Sequence, residues 1–482
     1  MAKEIIHRLE IAGDSRQLSD GEDRLRRKLK LHCLGLASLE RTIAQLRSRI
    51  LYLREGDANT SFFHQQARYR KNKNFISKLH EDGQILVSQE EKQEAVLNFY
   101  ENLLGTAEDR EYTINLDALG IQQHDLSSLD SPFTEEEVWA TVRDLPLDKA
   151  PGPDGFTGRF YVSCWGCIKG DVLAALAAIQ SGHVTRFRLL NTAFITLLPK
   201  QLDATQVKDF RPISLIHSVA KLVTKIMANR LAPLLPSLVP ANQSAFVRGR
   251  NIHDNFLFVQ QMVKSLQRKK EAHILLKLGI SKAFDSVSWA FLLETLQHLG
   301  FGPRWRSILC LILSTASTRV LLNGEPGDYI HHRRGLHQGD PLSPMLFILV
   351  MEVLNSLIRH AANIQLLQPL AVQPGTHRAS FYANDAVLFL RPSAGDLQVV
   401  KEILDFFGHS SGLRTNLTKS SVSPICCSPE DLALTAETLS CEIKDFPVKY
   451  LGLPLCLRKP SKEIFLSLVD KVADKLPGWK AK

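Results

Sequence analysis

Residues 379–391 read ASFYANDAVLFLR, and this stretch decides the fold. Two apolar runs flank a two-residue polar centre, Asn384-Asp385, and these residue types tolerate the positive φ of a tight hairpin. The stretch therefore predicts a β-hairpin with a polar tip. An ordinary β-turn has the same pattern, so whether the hairpin tip is a functional site depends on the segments around it.

A second apolar run precedes the hairpin in HILLKLGISKAFDSV, residues 273–287. Its residues Ile274–Leu278 predict a buried strand that reaches the turn at Gly279, and the next helix is expected to begin near Asp285 or Ser286. A strand followed by a turn and a helix can present polar side chains at the strand end. The turn residue here, Gly279, has no side chain.

Two further segments combine an apolar element with a shaped loop. FITLLPK, residues 194–200, predicts a strand that leads into a basic loop with Arg211, which is either a surface charge or a triphosphate contact. GLHQGDPLSP, residues 335–344, predicts a loop before a buried helix, with the amide of Gln338 free for hydrogen bonding. Upstream, KAPGPDG at residues 149–155 is too rich in proline and glycine for a helix interior and predicts a rigid loop.

The composition narrows the class of protein. The 482 residues are 44% hydrophobic and 23% charged with a net charge of +9, which is typical of a globular protein of several lobes and suits a polyanionic partner. Eight cysteines do not make a disulfide framework, and the lone pair Cys164 and Cys167 is expected to be structural rather than a zinc site. The longest apolar stretch, Pro344–Leu354, predicts no membrane span.

The N-terminal quarter has a basic helical pattern. Residues 1–20 are expected to form a loose leader, and a helix is predicted from Asp23 to about Gly56-Asp57, with an apolar stripe that includes Ile50 and Leu53. The cations at its start form either a solvated face or a surface for phosphates. The segment after it combines aromatic residues with cations, which suits single-stranded nucleic acid: Phe62, Phe63, His64, Arg68, Tyr69, Arg70, Lys71 and Lys73.

Taken in order, these segments resemble the reverse transcriptase of plant LINE-type (non-LTR) retrotransposons. The resemblance covers roughly residues 45–480 and rests on LREGDANTSFFHQQARYRKNKN, KAPGPDGF, DFRPISL, QSAFVRGRNIHDN, SKAFDSVSW, GLHQGDPLSP, SGLRTNLTKS and VKYLGLPL. It implies an α+β right-hand polymerase fold of fingers, palm and partial thumb with an N-terminal helical extension. It also implies Mg²⁺ as cofactor and, as partners, an RNA template, a DNA primer at a nicked target and deoxynucleoside triphosphates, with no membrane.

The resemblance also implies domain boundaries. These are a leader at 1–20, a basic helical extension at 21–105, a linker with the start of the fingers at 106–190, fingers and palm at 191–455, and a truncated thumb at 456–482 that contains Trp479. The family carries an endonuclease before this region and often a zinc knuckle or ribonuclease H region after it, so the chain is expected to be a fragment. The family works at chromosomal DNA, which implies a nuclear or cytoplasmic location.

Site residues follow from motif positions in this resemblance. Arg211 would contact the triphosphate, Phe284 would lie under the sugar and exclude a 2′-hydroxyl, and Gln338 with Gly339 would line the nucleotide pocket. Lys419 would be the general acid for the leaving pyrophosphate. The basic residues of the nucleic-acid surface are Arg68, Arg70, Lys71 and Lys73.

The chain departs from the family where the metal ions are held. The family has three aspartates, which here correspond to Gly279, Asn384 and Asp385, so one carboxylate remains. Because Mg²⁺ needs hard, charged oxygen ligands in a tight geometry, the sequence predicts severely impaired metal binding and catalysis, and compensation by Asp285 or Asp340 is not expected. His337 also replaces the usual arginine. Two alternatives stay open: a repurposed nucleic-acid-binding protein without catalysis, and a non-functional relic.

Overall fold

The computed structural model of the protein describes residues 2–48, 61–107, 110–182, 186–201, 203–280, 282–370 and 377–473. The architecture is α+β, as the sequence predicts. The chain forms two compact units: one contains Met1–Lys92, Leu198–Phe210 and Leu322–Glu325, and the other contains Gln93–Leu197, Arg211–Leu321 and Pro326–Lys482. The predicted domain boundaries at residues 20, 105, 190 and 455 remain predictions.

The first half of the chain is mainly helical. Its elements are α1 (Ala2–Ser15), α2 (Asp20–Ser48), α3 (Ser61–Asn74), β1 (Leu79–Glu81), β2 (Gln84–Leu86), α4 (Gln89–Tyr100), α5 (Glu135–Arg143), α6 (Gly158–Gln180), α7 (Phe187–Leu190), β3 (Thr192–Pro199), β4 (Phe210–Ile216), α8 (Ser218–Leu231) and α9 (Leu235–Leu238). A π-helical turn, Glu101–Gly105, follows α4, and 3-10 turns lie at Ser127–Asp130 and Val207–Asp209.

The second half alternates strands and helices. Its elements are α10 (Ile252–Lys269), β5 (His273–Leu278), α11 (Trp289–Leu299), α12 (Pro303–Ser314), β6 (Ser317–Leu322), β7 (Glu325–Pro326), β8 (Ile330–His331), α13 (Ser343–Asn363), β9 (Ala379–Tyr382), β10 (Asp385–Leu390), α14 (Ala394–Ser411), β11 (Ser421–Ile425), α15 (Pro429–Leu439), β12 (Glu442–Ile443), β13 (Val448–Tyr450), β14 (Leu453–Leu455) and α16 (Leu466–Ala473). Short 3-10 turns lie at Ala283–Ser286, Leu417–Lys419 and Lys462–Phe465.

The expectation of a loose leader at residues 1–20 was wrong, because α1 occupies most of it. The half-buried residues of α1 recur every three or four positions, namely Ala2, Ile6, Leu9 and Ala12, and this spacing gives one face that packs against α2. An ion pair between Lys30 and Glu10 at 2.6 Å joins the two helices. These apolar residues and the ion pair join α1 and α2 into a helical hairpin, although no residue of α1 is fully buried.

Helix α2 confirms the predicted helix but not the burial of its stripe. Leu36, Leu39 and Leu46 are exposed, so this face is not packed against the described part of the unit. Several of its cations are paired, since Arg26 lies 2.7 Å and Arg27 2.5 Å from the Asp23 carboxylate. The predicted helix end at Gly56-Asp57 and the stripe residues Ile50 and Leu53 lie outside the described residues, as does Trp479 of the predicted thumb.

The central sheet of the larger unit has the strand order β12-β11-β5-β10-β9. Strand β5 pairs antiparallel with β10, with Leu276 opposite Leu388, and antiparallel with β11 on its other side. All its residues except Lys277 are buried, which confirms the predicted buried strand. The following helix begins later than expected, because Ala283–Ser286 forms a 3-10 turn and α11 begins at Trp289.

Both faces of this sheet are covered. Ile274, Leu276 and Leu278 belong to the main core, which includes α11, α13 and α14. Leu275 faces a second core with α10 and the β13–β14 hairpin. The alternation along β5 thus places Leu275, Lys277 and position 279 on one face, because successive side chains of a strand point to opposite faces.

A second sheet contains β4, β3, β6 and β7 in that order, with β8 paired to β6. Strands β3 and β6 are parallel, and Thr192 lies opposite Ser317. The predicted strand FITLLPK is confirmed by β3. Arg211, however, lies in strand β4 rather than in a loop, because residues 210–216 pair with β3 as the outer strand of this sheet.

By length and composition alone, α6 and α13 could each cross a membrane, which the sequence analysis did not expect. Helix α13 is largely buried inside the larger unit, whereas most residues of α6 are half-buried or exposed, and it buries Tyr161, Trp165, Leu176 and Ile179. Neither helix is evidence for a membrane segment by itself, because the core helix of a globular protein passes the same test.

Candidate active site

The predicted hairpin is present, but its turn is shifted by one residue. Asp385 pairs with Tyr382, so the two turn residues are Ala383 and Asn384, and Asp385 is the first residue of β10. The residue with positive φ is Ala383, at 53°, and not Asn384 or Asp385. The Asp385 side chain is exposed and that of Asn384 is half-buried.

The hairpin tip and the end of β5 meet. Ala386 pairs with Leu278 in antiparallel register, and one step further along the ladder places Asp385 opposite Gly279. The three positions that the sequence analysis assigned to metal ligands therefore lie at one edge of the sheet. They carry a carboxylate, a carboxamide and no side chain.

The Asn416–Ser420 turn packs directly on Gly279. The amide of Gly279 donates to Ser420 Oγ at 3.0 Å, and its carbonyl accepts from the Asn416 amide at 2.7 Å. A Cβ atom on Gly279 would lie 3.0 Å from Lys419 Cβ and 3.1 Å from the Lys419 carbonyl carbon. Lys419, the predicted general acid, thus lies beside the site with its side chain exposed.

The predicted nucleotide residues lie around β4 and the loop before α13. The Ser214 amide donates to the Gln338 carbonyl at 3.0 Å, and Gly339 (φ 112°) approaches the Ser214 carbonyl so closely that a Cβ would stand 3.0 Å from it. Arg211 is exposed three residues earlier on β4. The structure therefore brings Arg211, Gln338 and Gly339 to one strand.

The side-chain amide of Gln338 was expected to be free, but it has a partner. Its Nε2 lies 3.4 Å from each carboxylate oxygen of Asp285, because the 3-10 turn after β5 folds back under this loop. In the same turn, Phe284 stacks on Phe347 of α13 with ring centroids 4.4 Å apart. Phe284 is half-buried, so one part of the ring remains accessible.

Asp340, one of the two carboxylates considered as a substitute ligand, already has partners. Its Oδ2 accepts from the amides of Leu342 and Ser343 at 3.0 and 2.8 Å, where α13 begins. This arrangement stabilises the orphan amides at a helix start. The Asp285 carboxylate faces Gln338. Burial raises the pKa of Tyr100, and the charge of Asp285 adds to this effect.

His337 lies beside a second histidine. Its ring lies 4.7 Å from that of His332, and burial lowers the pKa of both side chains. His332 is further positioned by Thr318 Oγ1 at 3.0 Å from its Nε2. The site therefore gains no cation from His337 near neutral pH.

The residues present do not fit a pair of magnesium ions. Across the described ranges, no group of three or more His, Cys, Asp or Glu side chains could hold a metal ion. Cys164 and Cys167 lie on α6 as free thiols. Asp385 is the one carboxylate at the assigned ligand positions, and Mg²⁺ depends on charged oxygen ligands.

The basic segment of the smaller unit lies on α3. Arg68, Arg70, Lys71 and Lys73 are exposed, and Tyr69 between them is 63% exposed. Phe63 is buried at 3% exposure, so in this structure its ring is not accessible to a base. The side chain of Phe62 lies outside the described residues.

Sequence reasoning missed the residues that surround strand β9. Asn242, Gln243 and Asn255 are buried, and all three contact β9 or its turn. They belong to QSAFVRGRNIHDN and the residue before it, a motif that was recognised without a role. Polar residues within an apolar context were the available signal.

The family model and the similar proteins that match this chain point to the same family. The model of the family "Reverse transcriptase (RNA-dependent DNA polymerase)" matches residues 198–455, more than half of the chain. The "Transposon TX1 uncharacterized 149 kDa protein" of Xenopus laevis is 29% identical over 451 residues, which cover 91% of this chain and 33% of that protein.

Two Drosophila melanogaster proteins are also similar. The "Retrovirus-related Pol polyprotein from type-2 retrotransposable element R2DM" is 27% identical over 68% of this chain and 31% of its own length. The "RNA-directed DNA polymerase from mobile element jockey" is 27% identical over 45% of this chain and 25% of its own length. The chain spans about a third of the length of the first two relatives.

Proposed function

This chain belongs to the reverse transcriptase family and carries a reverse transcriptase domain of the non-LTR retrotransposon type, and from that premise we propose that its catalytic site is impaired. The observation that carries the proposal is the meeting of Asp385, Asn384 and Gly279 at one sheet edge. The family generally uses divalent metal ions, and two of the three positions that would hold them lack a carboxylate.

Electrostatics give the size of the effect. Two unit charges about 4 Å apart interact by about 4 kcal/mol at an effective dielectric of about 20, and a divalent ion doubles that for each carboxylate. Screening and desolvation offset part of it, yet each ~1.4 kcal/mol lost is about a tenfold loss in rate. The Asn384 carboxamide offers an oxygen without charge, and Gly279 offers no side-chain ligand.

The packing of the Asn416–Ser420 turn supports the same conclusion. With Lys419 Cβ at 3.0 Å from the place of a Cβ on Gly279, a side chain at this position fits tightly and requires the turn to shift by a few tenths of an ångström. Asp340 is committed to the start of α13, and Asp285 faces Gln338. Neither carboxylate is therefore arranged as a replacement ligand.

The wider assignment follows the family. We propose a LINE-type element of plant ancestry, an RNA template, a DNA primer and deoxynucleoside triphosphates as ancestral partners, and a nuclear or cytoplasmic location. We also propose the domain division given by the motifs, with fingers and palm at 191–455.

The direct test of impairment is equilibrium Mn²⁺ binding to the chain, measured by electron paramagnetic resonance. We expect no binding stronger than that of an Asp385→Asn variant, which removes the remaining carboxylate. Two tightly bound ions that are lost in Asp385→Asn would refute the proposal, because they would show that other groups complete the site.

A second candidate function is nucleic-acid binding without catalysis. It is favoured by the exposed cations of α3, for which no ion-pair partner exists within the described part of the chain. Exposed cations with an exposed tyrosine suit the backbone and bases of a single strand. This candidate predicts salt-dependent binding of RNA that does not require Mg²⁺.

A further inference from the structure

We propose that Gln243 is a positioning residue for the hairpin tip, and that it fixes where Asn384 and Asp385 lie. The inference rests on the proposed function, because the tip matters only if positions 384 and 385 belong to the ancestral metal site. The role comes from one side chain that reaches the turn from a loop 140 residues earlier.

The contact is specific to the turn. Gln243 Oε1 accepts from the Ala383 amide at 3.1 Å and from the Ala245 amide at 3.0 Å. The Gln243 side chain is 2% exposed, so both bonds form away from water. A buried amide without an acceptor is unfavourable, and the Ala383 amide would be left in that state without Gln243.

Ala383 needs such support because of its conformation. It has a φ of 53° and a side chain, and the left-handed region is sterically unfavourable for a non-glycine residue. The neighbouring structure must therefore hold it there. Ala383 directly precedes Asn384, so any relaxation of its backbone redirects the two residues that follow.

The backbone around Gln243 reinforces the contact. The Phe381 amide donates to the Asn242 carbonyl at 2.7 Å, and the Ser244 amide donates to the Phe381 carbonyl at 3.3 Å. Strand β9 is the last strand of its sheet, and this loop covers its free edge. Gln243 lies between Asn242 and Ser244, which make these two hydrogen bonds, and its side chain adds a third contact at the turn.

The neighbouring buried amides do not share this role. Asn255 Nδ2 donates to Ser380 Oγ at 2.8 Å and to the Phe381 carbonyl at 2.9 Å, and Asn242 Nδ2 donates to the Ala379 carbonyl at 3.1 Å. Both therefore hold the body of β9. Gln243 is the buried amide that binds the turn itself.

A matched pair of variants tests the role. Gln243→Leu removes the acceptor at nearly constant volume. Gln260→Leu is the control, because Gln260 also makes two hydrogen bonds to backbone distant in sequence: Nε2 to the Cys456 carbonyl at 2.7 Å and Oε1 from the Cys456 amide at 3.0 Å. Both variants are made in the full chain.

The first measurement is amide hydrogen exchange of the peptide that contains Ala383. We expect about tenfold faster exchange in Gln243→Leu and no change in Gln260→Leu, under conditions where both are folded. Equal exchange of this peptide in the two variants would contradict the proposal that Gln243 holds the turn. This measurement does not involve a metal ion, so it is independent of the proposed function.

The second measurement separates positioning from packing. In a Gly279→Asp/Asn384→Asp chain, Gln243→Leu should weaken Mn²⁺ affinity about tenfold and leave the affinity for a primer–template duplex unchanged, while Gln260→Leu changes neither. Unchanged Mn²⁺ affinity would overturn the positioning role. If the Gly279→Asp/Asn384→Asp chain binds no Mn²⁺ even with Gln243 in place, the proposed function is contradicted. The exchange comparison would then still test whether Gln243 holds the turn.

Discussion

The amide of Gly279 donates a hydrogen bond to Ser420 Oγ at 3.0 Å, which ties the end of the central strand to the turn that contains Lys419. The same turn returns a bond from the Asn416 amide to the Gly279 carbonyl at 2.7 Å. Position 279, which we propose as a lost ligand position, is therefore packed between strand and turn. An aspartate there would restore a charge and would require the turn to shift by a few tenths of an ångström.

The first prediction concerns stability at this contact. Gly279→Ala should lower the free energy of unfolding by about 1–3 kcal/mol, because the new Cβ would lie 3.0 Å from Lys419 Cβ. Gly170→Ala within α6 is the control: nothing lies within 4 Å of its Cβ, and it should stabilise the protein by about 0.5–1 kcal/mol. Urea unfolding measures both, and equal effects of the two substitutions would contradict the packing argument.

A second prediction concerns nucleotide binding. Arg211→Ala should weaken binding of a deoxynucleoside triphosphate about tenfold, because hydrogen bonds to charged groups contribute about 1.5–3 kcal/mol. Arg188→Ala removes another exposed arginine of the same unit and should have no effect. A fluorescent nucleotide titration compares the two, and unchanged affinity in Arg211→Ala would remove the assignment.

The third prediction concerns pH. Burial raises the pKa of Glu352 to about 7. Three neighbours partly offset this rise: the Asn355 amide at 2.9 Å, Arg359 at 3.7 Å and the Ser356 hydroxyl at 3.2 Å. Because the folded pKa is above the unfolded value, the protonated form contributes stability below about pH 4.5, and this contribution is lost as pH rises through 7.

Glu352→Gln removes this titration. Its free energy of unfolding, relative to the unmodified chain, should increase by roughly 2–3 kcal/mol between pH 4.5 and pH 8. Denaturant unfolding at the two pH values measures this change. A constant difference between the two proteins would show that Glu352 is ionised at both values or at neither.

The fourth prediction tests the basic face of α3. Replacing Arg70, Lys71 and Lys73 by alanine should reduce the slope of log affinity for single-stranded RNA against log salt by about 2. The control is the α2 triple Arg26, Arg27 and Lys30, whose cations are already paired with Asp23 and Glu10 and should contribute less. Equal slopes for the two triples would contradict an interface on α3.

The sequence predicted the parts of the fold that depend on local patterns. The buried strand at 273–278, the hairpin at 379–390 and the apolar helix after the Gln338 loop follow from apolar periodicity and turn residues. The resemblance to a family placed Gly279, Asn384 and Asp385 together, and the strand register has them at one edge.

Other features depend on contacts that are distant in sequence. The turn lies one residue earlier than predicted, with Ala383 at positive φ, and the Ala383 amide donates to Gln243 Oε1, a contact that the local sequence does not encode. The amide of Gln338 was expected to be free, but Asp285 lies beside it after the chain folds back. The local sequence places Phe63 in an aromatic and basic segment, but its burial depends on the packing of its unit.

The most direct test of the central claim is primer extension on an RNA template with Mg²⁺ or Mn²⁺ by four proteins: the unmodified chain, Gly279→Asp, Asn384→Asp and the double variant. One carboxylate cannot hold two divalent ions, so we expect extension by the double variant and almost none by the other three. Extension by the unmodified chain at a rate similar to that of the double variant would contradict the account.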